Sequence, residues 1–211
     1  IFLLIAGLIY VIDSSDLFEP KISWEVDGSL TTETAQYDRL IKPLLNNKYL
    51  IDLSQLKEKV EQYPWIAKAE VSRLFWNKIR IAVVKHDIAM RWGSEGYISN
   101  QGVLFQPNLS IDSDSPIAIV SEDQIEQFYV DYINYQSILG PLIINQFERS
   151  HIDQLILEPN VKVILGYQHQ GERLQVFIKA YDKLKGSSKI RKRGIFDMRY
   201  PKGFALSYLP Q

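Results

Sequence analysis

Glu61 to Trp92 reads EQYPWIAKAEVSRLFWNKIRIAVVKHDIAMRW. The stretch runs from a helix end, through a Pro64-Trp65 stop, into two alternating segments. Apolar side chains fall at Ile66, Ala67, Ala69 and Val71, then again at Ile79, Ile81 and Val83. Charges at Lys68, Glu70, Arg73 and Arg80 lie between them. A period of two with one polar face predicts two half-buried antiparallel strands, joined around Trp76-Asn77-Lys78. Nothing in the stretch is set aside for catalysis, so binding is the expected business of the chain.

Working back from this pair, Lys21 to Val26 alternates Ile22, Trp24 and Val26 against Ser23 and Glu25, a further strand ended by Asp27-Gly28-Ser29. Thr32 is placed to cap a helix carrying Tyr37, Leu40, Ile41, Leu44 and Leu45 on one face. Pro43 falls inside that stripe and removes a backbone donor, so the helix is expected to bend or tighten there. Asp52-x-x-Gln55 resembles a capping box for a second helix, with Leu53, Leu56, Val60 and Tyr63 inward and Pro64 as its stop. The order from 20 to 88 is strand, helix, helix, strand, strand, a small α+β layer fold. Roughly 70 residues make a marginal independent core.

Beyond Ala89 the texture changes. Ala89 to Trp92, Tyr97 to Phe105 around Asn100-Gln101-Gly102, and Pro116 to Val120 read as strands. Gln106 to Ser115 is polar and proline-bearing, a loop. Gln124 to Leu139 has Ile125, Phe128, Tyr129, Tyr132, Ile133 and Gln136 at helical spacing, ended by Gly140-Pro141. Ile152 to Leu157 and Val161 to Leu165 are strands joined at Glu158-Pro159-Asn160. Gly171 to Leu184 is a helix with Leu174, Phe177, Ile178 and Tyr181 inward. Ile195 to Tyr200, a turn at Pro201-Lys202-Gly203, and Phe204 to Leu209 close the chain. This second unit is strand-rich with two helices.

Composition narrows the function classes. The 211 residues are 46% hydrophobic with a formal net charge of -1, so there is no basic excess to hold nucleic acid. Cysteine is absent, which excludes disulfides and Cys-ligated metal. That suits a reducing compartment or a bacterial periplasmic domain held by its core. The first twelve residues, IFLLIAGLIYVI, carry no charge. A spanning helix needs roughly 20 apolar residues. A signal-peptide core and a buried helix compete for this run. The expectation is the outer half of a membrane helix that begins before residue 1, because no small-residue cleavage site follows.

Catalytic constellations are not visible. His86, His151 and His169 have no helical-spaced partner, and although His86-Asp87 and His151-x-Asp153 suggest a base and its orienter, no Gly-x-Ser-x-Gly elbow supplies a nucleophile. Glu122-Asp123 suit the positive end of the helix they precede. No glycine loop for phosphate and no cluster of metal ligands can be assembled, so neither cofactor nor metal is expected. The basic run Lys183, Lys185, Lys189, Arg191, Lys192, Arg193 reads as a solvated loop, or as attraction to an acidic partner or anionic lipid. The last strand places Phe204, Leu206 and Tyr208 on one face and Ala205 and Ser207 on the other. A terminal strand is often a sheet edge. It either closes the core with its aromatics or offers unpaired main-chain groups to another chain.

Six elements occur in an order that resembles a known family. They are Pro64-Trp65-Ile66 with Ala69-Glu70-Val71-Ser72-Arg73; Ala89-Met90-Arg91-Trp92; Gln101-Gly102-Val103-Leu104-Phe105; Leu165-Gly166 with Glu172-Arg173-Leu174; Phe196-Asp197-Met198-Arg199-Tyr200; and Gly203-Phe204-Ala205-Leu206. Together they are similar to the FtsQ/DivIB family of bacterial cell-division proteins. The resemblance implies a cytoplasmic tail, one inner-membrane helix, a POTRA domain and a β domain. Here it assigns residues 1–19 to a partial membrane helix and stem, 20–88 to the POTRA domain (β-α-α-β-β) and 89–211 to the β domain. It implies a non-catalytic periplasmic scaffold of the septum that binds FtsB and FtsL, with further contacts to FtsK, FtsW and other division proteins.

Carried over by motif, the partner surface comprises Arg199, Tyr200, Lys202, Gly203, Phe204, Ser207 and Tyr208, on a terminal strand that receives a segment of FtsB. Arg199 would pair with a partner carboxylate, and Gly203 would allow close backbone approach. Tyr208 stands where the family commonly has Trp. The family's Arg and Trp ahead of Leu155-Ile156-Leu157 are absent, His151 and Asp153 standing in that stretch, so that contact is not transferred. The side near Val26-Asp27-Gly28 corresponds to the family's early-recruitment surface. A competing reading is a POTRA-bearing component of outer-membrane secretion or assembly machinery, which calls for a long series of ten-residue alternating strands.

Overall fold

The structure, a computed structural model, describes residues 19–26, 34–45, 51–75, 77–94, 96–107, 113–186, 190, 193–201 and 203–208, with 34–36 as backbone. The charge-free run at 1–12, Thr32, Lys202 and most of the 187–192 basic segment lie outside the described residues. Among the described residues no helix is long and apolar enough to cross a membrane. The chain divides into two compact units after His86.

The first unit follows the expected order: β1 (Lys21–Val26), α1 (Thr34–Ile41), α2 (Leu53–Glu61), β2 (Ile66–Phe75) and β3 (Lys78–Lys85). The strands lie in the order β1-β3-β2, with β1 parallel to β3 and β2 antiparallel to it. Ile79, Ile81 and Val83 of β3 are buried, as are Tyr37, Ile41, Leu56 and Val60 of the two helices. Pro43 ends α1 at Ile41, and Lys42–Leu45 tightens into a 3-10 turn. Asp52 caps α2, its carboxylate accepting from the backbone N–H of Ser54 and Gln55 at 2.9 and 3.2 Å. Tyr37 stands edge-on to Tyr63 at 4.6 Å and tilted to Trp24 at 5.5 Å.

The second unit is one nine-stranded mixed sheet. Its strands are β4 (Ile88–Trp92), β5 (Gly96–Ser99), β6 (Leu104–Phe105), β7 (Ile117–Ile119), β8 (Ile144–Arg149), β9 (Asp153–Leu157), β10 (Val161–Gly166), β11 (Gly194–Asp197) and β12 (Ala205–Tyr208). The order across the sheet is β12-β11-β10-β9-β8-β7-β4-β5-β6. Helices α3 (Ile125–Leu139) and α4 (Gln170–Leu184) supply Phe128, Tyr135, Leu174, Phe177 and Tyr181 to a core that Phe147 and Phe196 complete from the strands. Helix α4 is the crossover between the parallel strands β10 and β11.

Three expectations are corrected. Strand β8 was not foreseen, because a register shift between Ile144 and Gln146 breaks its alternation and leaves its buried side chains, Ile144 and Phe147, at the wrong spacing for a strand. The segment expected as a strand from Ile195 to Tyr200 ends at Asp197, for a reason given below. Ile133, placed at helical spacing with the apolar residues of its helix, is 48% exposed. By contrast Gln136 turns inward, its amide donating to the Leu142 carbonyl at 2.9 Å and accepting from the Ile144 N–H at 3.0 Å.

One ionic group is built into this core. Asp153 is 3% exposed, and both its oxygens accept from Arg149 at 2.7 Å. The Tyr135 hydroxyl donates to it at 2.7 Å, and Asp131 closes on Arg149 at 2.8 Å. The guanidinium lies over Phe147 and Phe128, 5.3 and 5.7 Å from their centroids. Burial works against the Arg149 charge, yet Asp153 and Asp131 outweigh it and hold the group protonated. Burial, then the bond to Asp153, pushes the Tyr135 phenol far up, so it stays a donor.

Candidate partner-binding edge

Strand β12 stands at the end of the nine-strand order and pairs antiparallel with β11. The register sets Gly194 opposite Tyr208, Ile195 opposite Ser207, Phe196 opposite Leu206 and Asp197 opposite Ala205. Phe204 and Leu206 pack on the core, whereas Ala205 and Ser207 are exposed, so the expected alternation holds as far as Ser207; Tyr208, expected with Phe204 and Leu206, is exposed. Phe196 is fully buried, and Phe177 meets it edge-on at 5.1 Å. The inner face of the hairpin is thereby anchored while its outer rim is left at the margin of the sheet.

Between β11 and β12 the chain turns because Asp197 captures its neighbour. The carboxylate accepts from the Arg199 backbone N–H at 3.1 Å, from Nε at 2.9 Å and from Nη2 at 2.6 Å. Drawing the Arg199 N–H toward a side chain ends the ladder and starts the loop. The Arg199 side chain holds the Asp197 carboxyl below the usual carboxylate range, against the opposing effect of burial.

Beside this loop opens a cleft of about 400 Å³, lined among others by His169, Glu172, Arg173, Tyr200, Pro201 and Gly203. Arg173 reaches back from α4 to the Leu165 carbonyl at the end of β10. Gly166 follows at φ +79°, where a Cβ would come within 2.6 Å of Arg173 Nη1.

The sequence-derived partner residues fall on this one hairpin. Tyr200 is 57% exposed and Tyr208 39% exposed. Gly203 and Ser207 are exposed, Phe204 is half-buried and Lys202 lies outside the described residues. Arg199 is exposed but already engaged by Asp197, a partner within its own chain. Asp197 itself was given no role by sequence reasoning, although opposite charges two residues apart at a strand end are a legible cue. Asp153 cannot orient His151 as a catalytic base would require, since its oxygens belong to Arg149 and Tyr135. Among the described residues no group of three or more His, Cys, Asp or Glu is placed to hold a metal.

Comparison with known proteins bears on both units. Residues 26–86 match the model of the POTRA domain, FtsQ-type, and residues 89–199 match that of Cell division protein FtsQ/DivIB, C-terminal. The chain belongs to the FtsQ/DivIB family. Its FtsQ/DivIB relatives include Cell division protein FtsQ of Neisseria gonorrhoeae, 23% identical over 97% of this chain and 86% of that protein. That of Allochromatium vinosum is 23% identical over 88% of this chain and 77% of its own length. In FtsQ/DivIB terms, the three-stranded unit is the POTRA domain, and the nine-stranded unit carries the family's C-terminal domain.

Proposed function

We propose that this cell-division protein is a non-catalytic, single-pass scaffold of the bacterial divisome. Its bulk lies in the periplasm, anchored in the inner membrane at the division septum. It binds FtsB and FtsL through β12 by β-augmentation, a partner strand adding to the open rim of the sheet. Main-chain bonds supply affinity, and Arg199, Tyr200, Lys202, Gly203, Phe204, Ser207 and Tyr208 supply selectivity. Contacts with FtsK, FtsW and other division proteins would link early and late assembly, and the three domains are the partial membrane helix and stem, the POTRA domain and the β domain.

The observation that carries the reading is the position of β12 at the end of the strand order, with its apolar face anchored on Phe196. The test is capture of FtsB and FtsL segments by the full chain, comparing wild type with Tyr200→Ala and Phe204→Glu. Both substitutions should weaken capture, Phe204→Glu the more, since a charge left unpaired at an interface costs on the order of 2–5 kcal/mol. Unchanged capture in both variants removes the terminal strand as the docking place.

A further inference from the structure

We infer that Asp197 is a positioning residue of this edge, setting the Arg199 guanidinium and the start of the turn after β11 in place before a partner strand arrives. The inference rests on the reading of β12 as the docking rim. Three donors of one residue converge on one carboxylate, at 2.6 to 3.1 Å. The pair is stratified: the Asp197 side chain is 15% exposed and that of Arg199 51%. The acid therefore sits underneath and the cation faces water.

This geometry uses the Nε and Nη2 side of the guanidinium and leaves Nη1 without a bond to any described residue. An arginine fork can hold one carboxylate along one side and meet a second along another. Arg149 in the same unit likewise serves two acids, holding Asp153 through Nε and Nη2 and meeting Asp131 through Nη2 as well. The partner class that fits is an extended segment with an acidic side chain where it passes the mouth of the hairpin. A solvated arginine gives up rotamer freedom when it binds such a group; Arg199 has already given it up in folding. The Asp197↔Ala205 pair is also the first of the β12 register, so the same carboxylate governs where the rim begins.

A double-mutant cycle on the full chain tests this, with the periplasmic part of the same organism's FtsB as probe. Affinity and melting temperature are measured for wild type, Asp197→Asn, Arg199→Ala and the double variant. Asp197→Asn should weaken binding on the order of tenfold, the worth of one charge-assisted hydrogen bond. The double variant should bind no more weakly than Arg199→Ala alone, because Asp197 acts through Arg199. If Asp197→Asn also lowers the melting temperature, Asp197→Glu, which keeps the charge, should restore affinity toward wild type. Wild-type affinity in Asp197→Asn, multiplicative losses in the double variant, or no recovery with Asp197→Glu would each overturn the inference while leaving β12 as the rim. A wild-type chain that fails to bind the probe removes the docking reading itself, and this inference with it.

Discussion

Phe204 rests on Phe196 with ring centroids 5.6 Å apart and planes tilted by 33°, one residue before β12 begins. The contact ties the entry of the last strand to the aromatic group formed by Phe177, Tyr181 and Phe196. A carboxylate at this half-buried position would lie beside Phe196 with no described cation bonded there. Phe204→Glu is expected to cost about 1–3 kcal/mol of stability, whereas Phe204→Leu, which keeps an apolar contact, costs less. Urea unfolding of both variants measures this. Equal midpoints would show that the ring does not anchor the strand.

Two glycines of this region separate folding from binding. At Gly203 an added Cβ meets no described atom within 4 Å, and its φ is outside the left-handed range. At Gly166 the φ is +79° and a Cβ would strike Arg173 and approach Arg199 Cγ at 3.3 Å. Gly166→Ala is expected to lose about 1–2 kcal/mol for the left-handed backbone alone. Gly203→Ala should melt as wild type does and yet capture FtsB less well, because the new methyl stands only in a partner's way. A drop in the Gly203→Ala melting temperature would place that residue's role inside the fold instead.

What was legible in the sequence was what strict periodicity writes. Ile79, Ile81 and Val83 alternate without interruption, and the strand they predict is present; Pro43 announced the tightening at Lys42–Leu45, and Asp52 the start of α2. Strand β8 was illegible because its bulge puts Ile144 and Phe147 three apart, which fits neither an alternating strand nor a helix of that length. The length of β11 was misjudged because a side-chain bond, Asp197 to the Arg199 N–H, competes with the ladder and leaves no trace in hydropathy. The buried Asp153 was illegible for a related reason. Its partners Tyr135 and Arg149, and Asp131 that pairs with Arg149, come from α3 and β8, and only the tertiary fold gathers them.

That gathered cluster predicts a large loss from a small change. Asp153→Ala would leave the Tyr135 hydroxyl without its acceptor and Arg149, with a side chain only 16% exposed, with Asp131 alone. Breaking a buried pair from one side costs about 3–5 kcal/mol. Chemical denaturation of Asp153→Ala should show a loss of that size. Replacing Arg149 and both acids by apolar residues of similar volume, together with Tyr135→Phe, should recover most of it. A loss below about 1 kcal/mol, the range of exposed pairs, would mean that water reaches the cluster and that it does not brace α3 to the sheet.

The Asp197–Arg199 pair fixes a pH dependence with a definite sign. Hydrogen bonds from the Arg199 side chain lower the Asp197 carboxyl from its ordinary 3.8; burial opposes them, and the Arg199 backbone N–H and the Arg173 charge assist. The folded state thus binds this proton less readily than the unfolded chain does. Between the folded value and 3.8 the unfolded state carries more protons, so stability rises with pH there. The contribution is complete above 3.8 and is lost as pH falls through the folded value. The melting-temperature difference between wild type and Asp197→Asn should be level above about pH 5 and shrink as the pH drops toward the acid limb. A difference that stays constant as the pH falls through the acid limb would show that the carboxylate charge does not hold the turn.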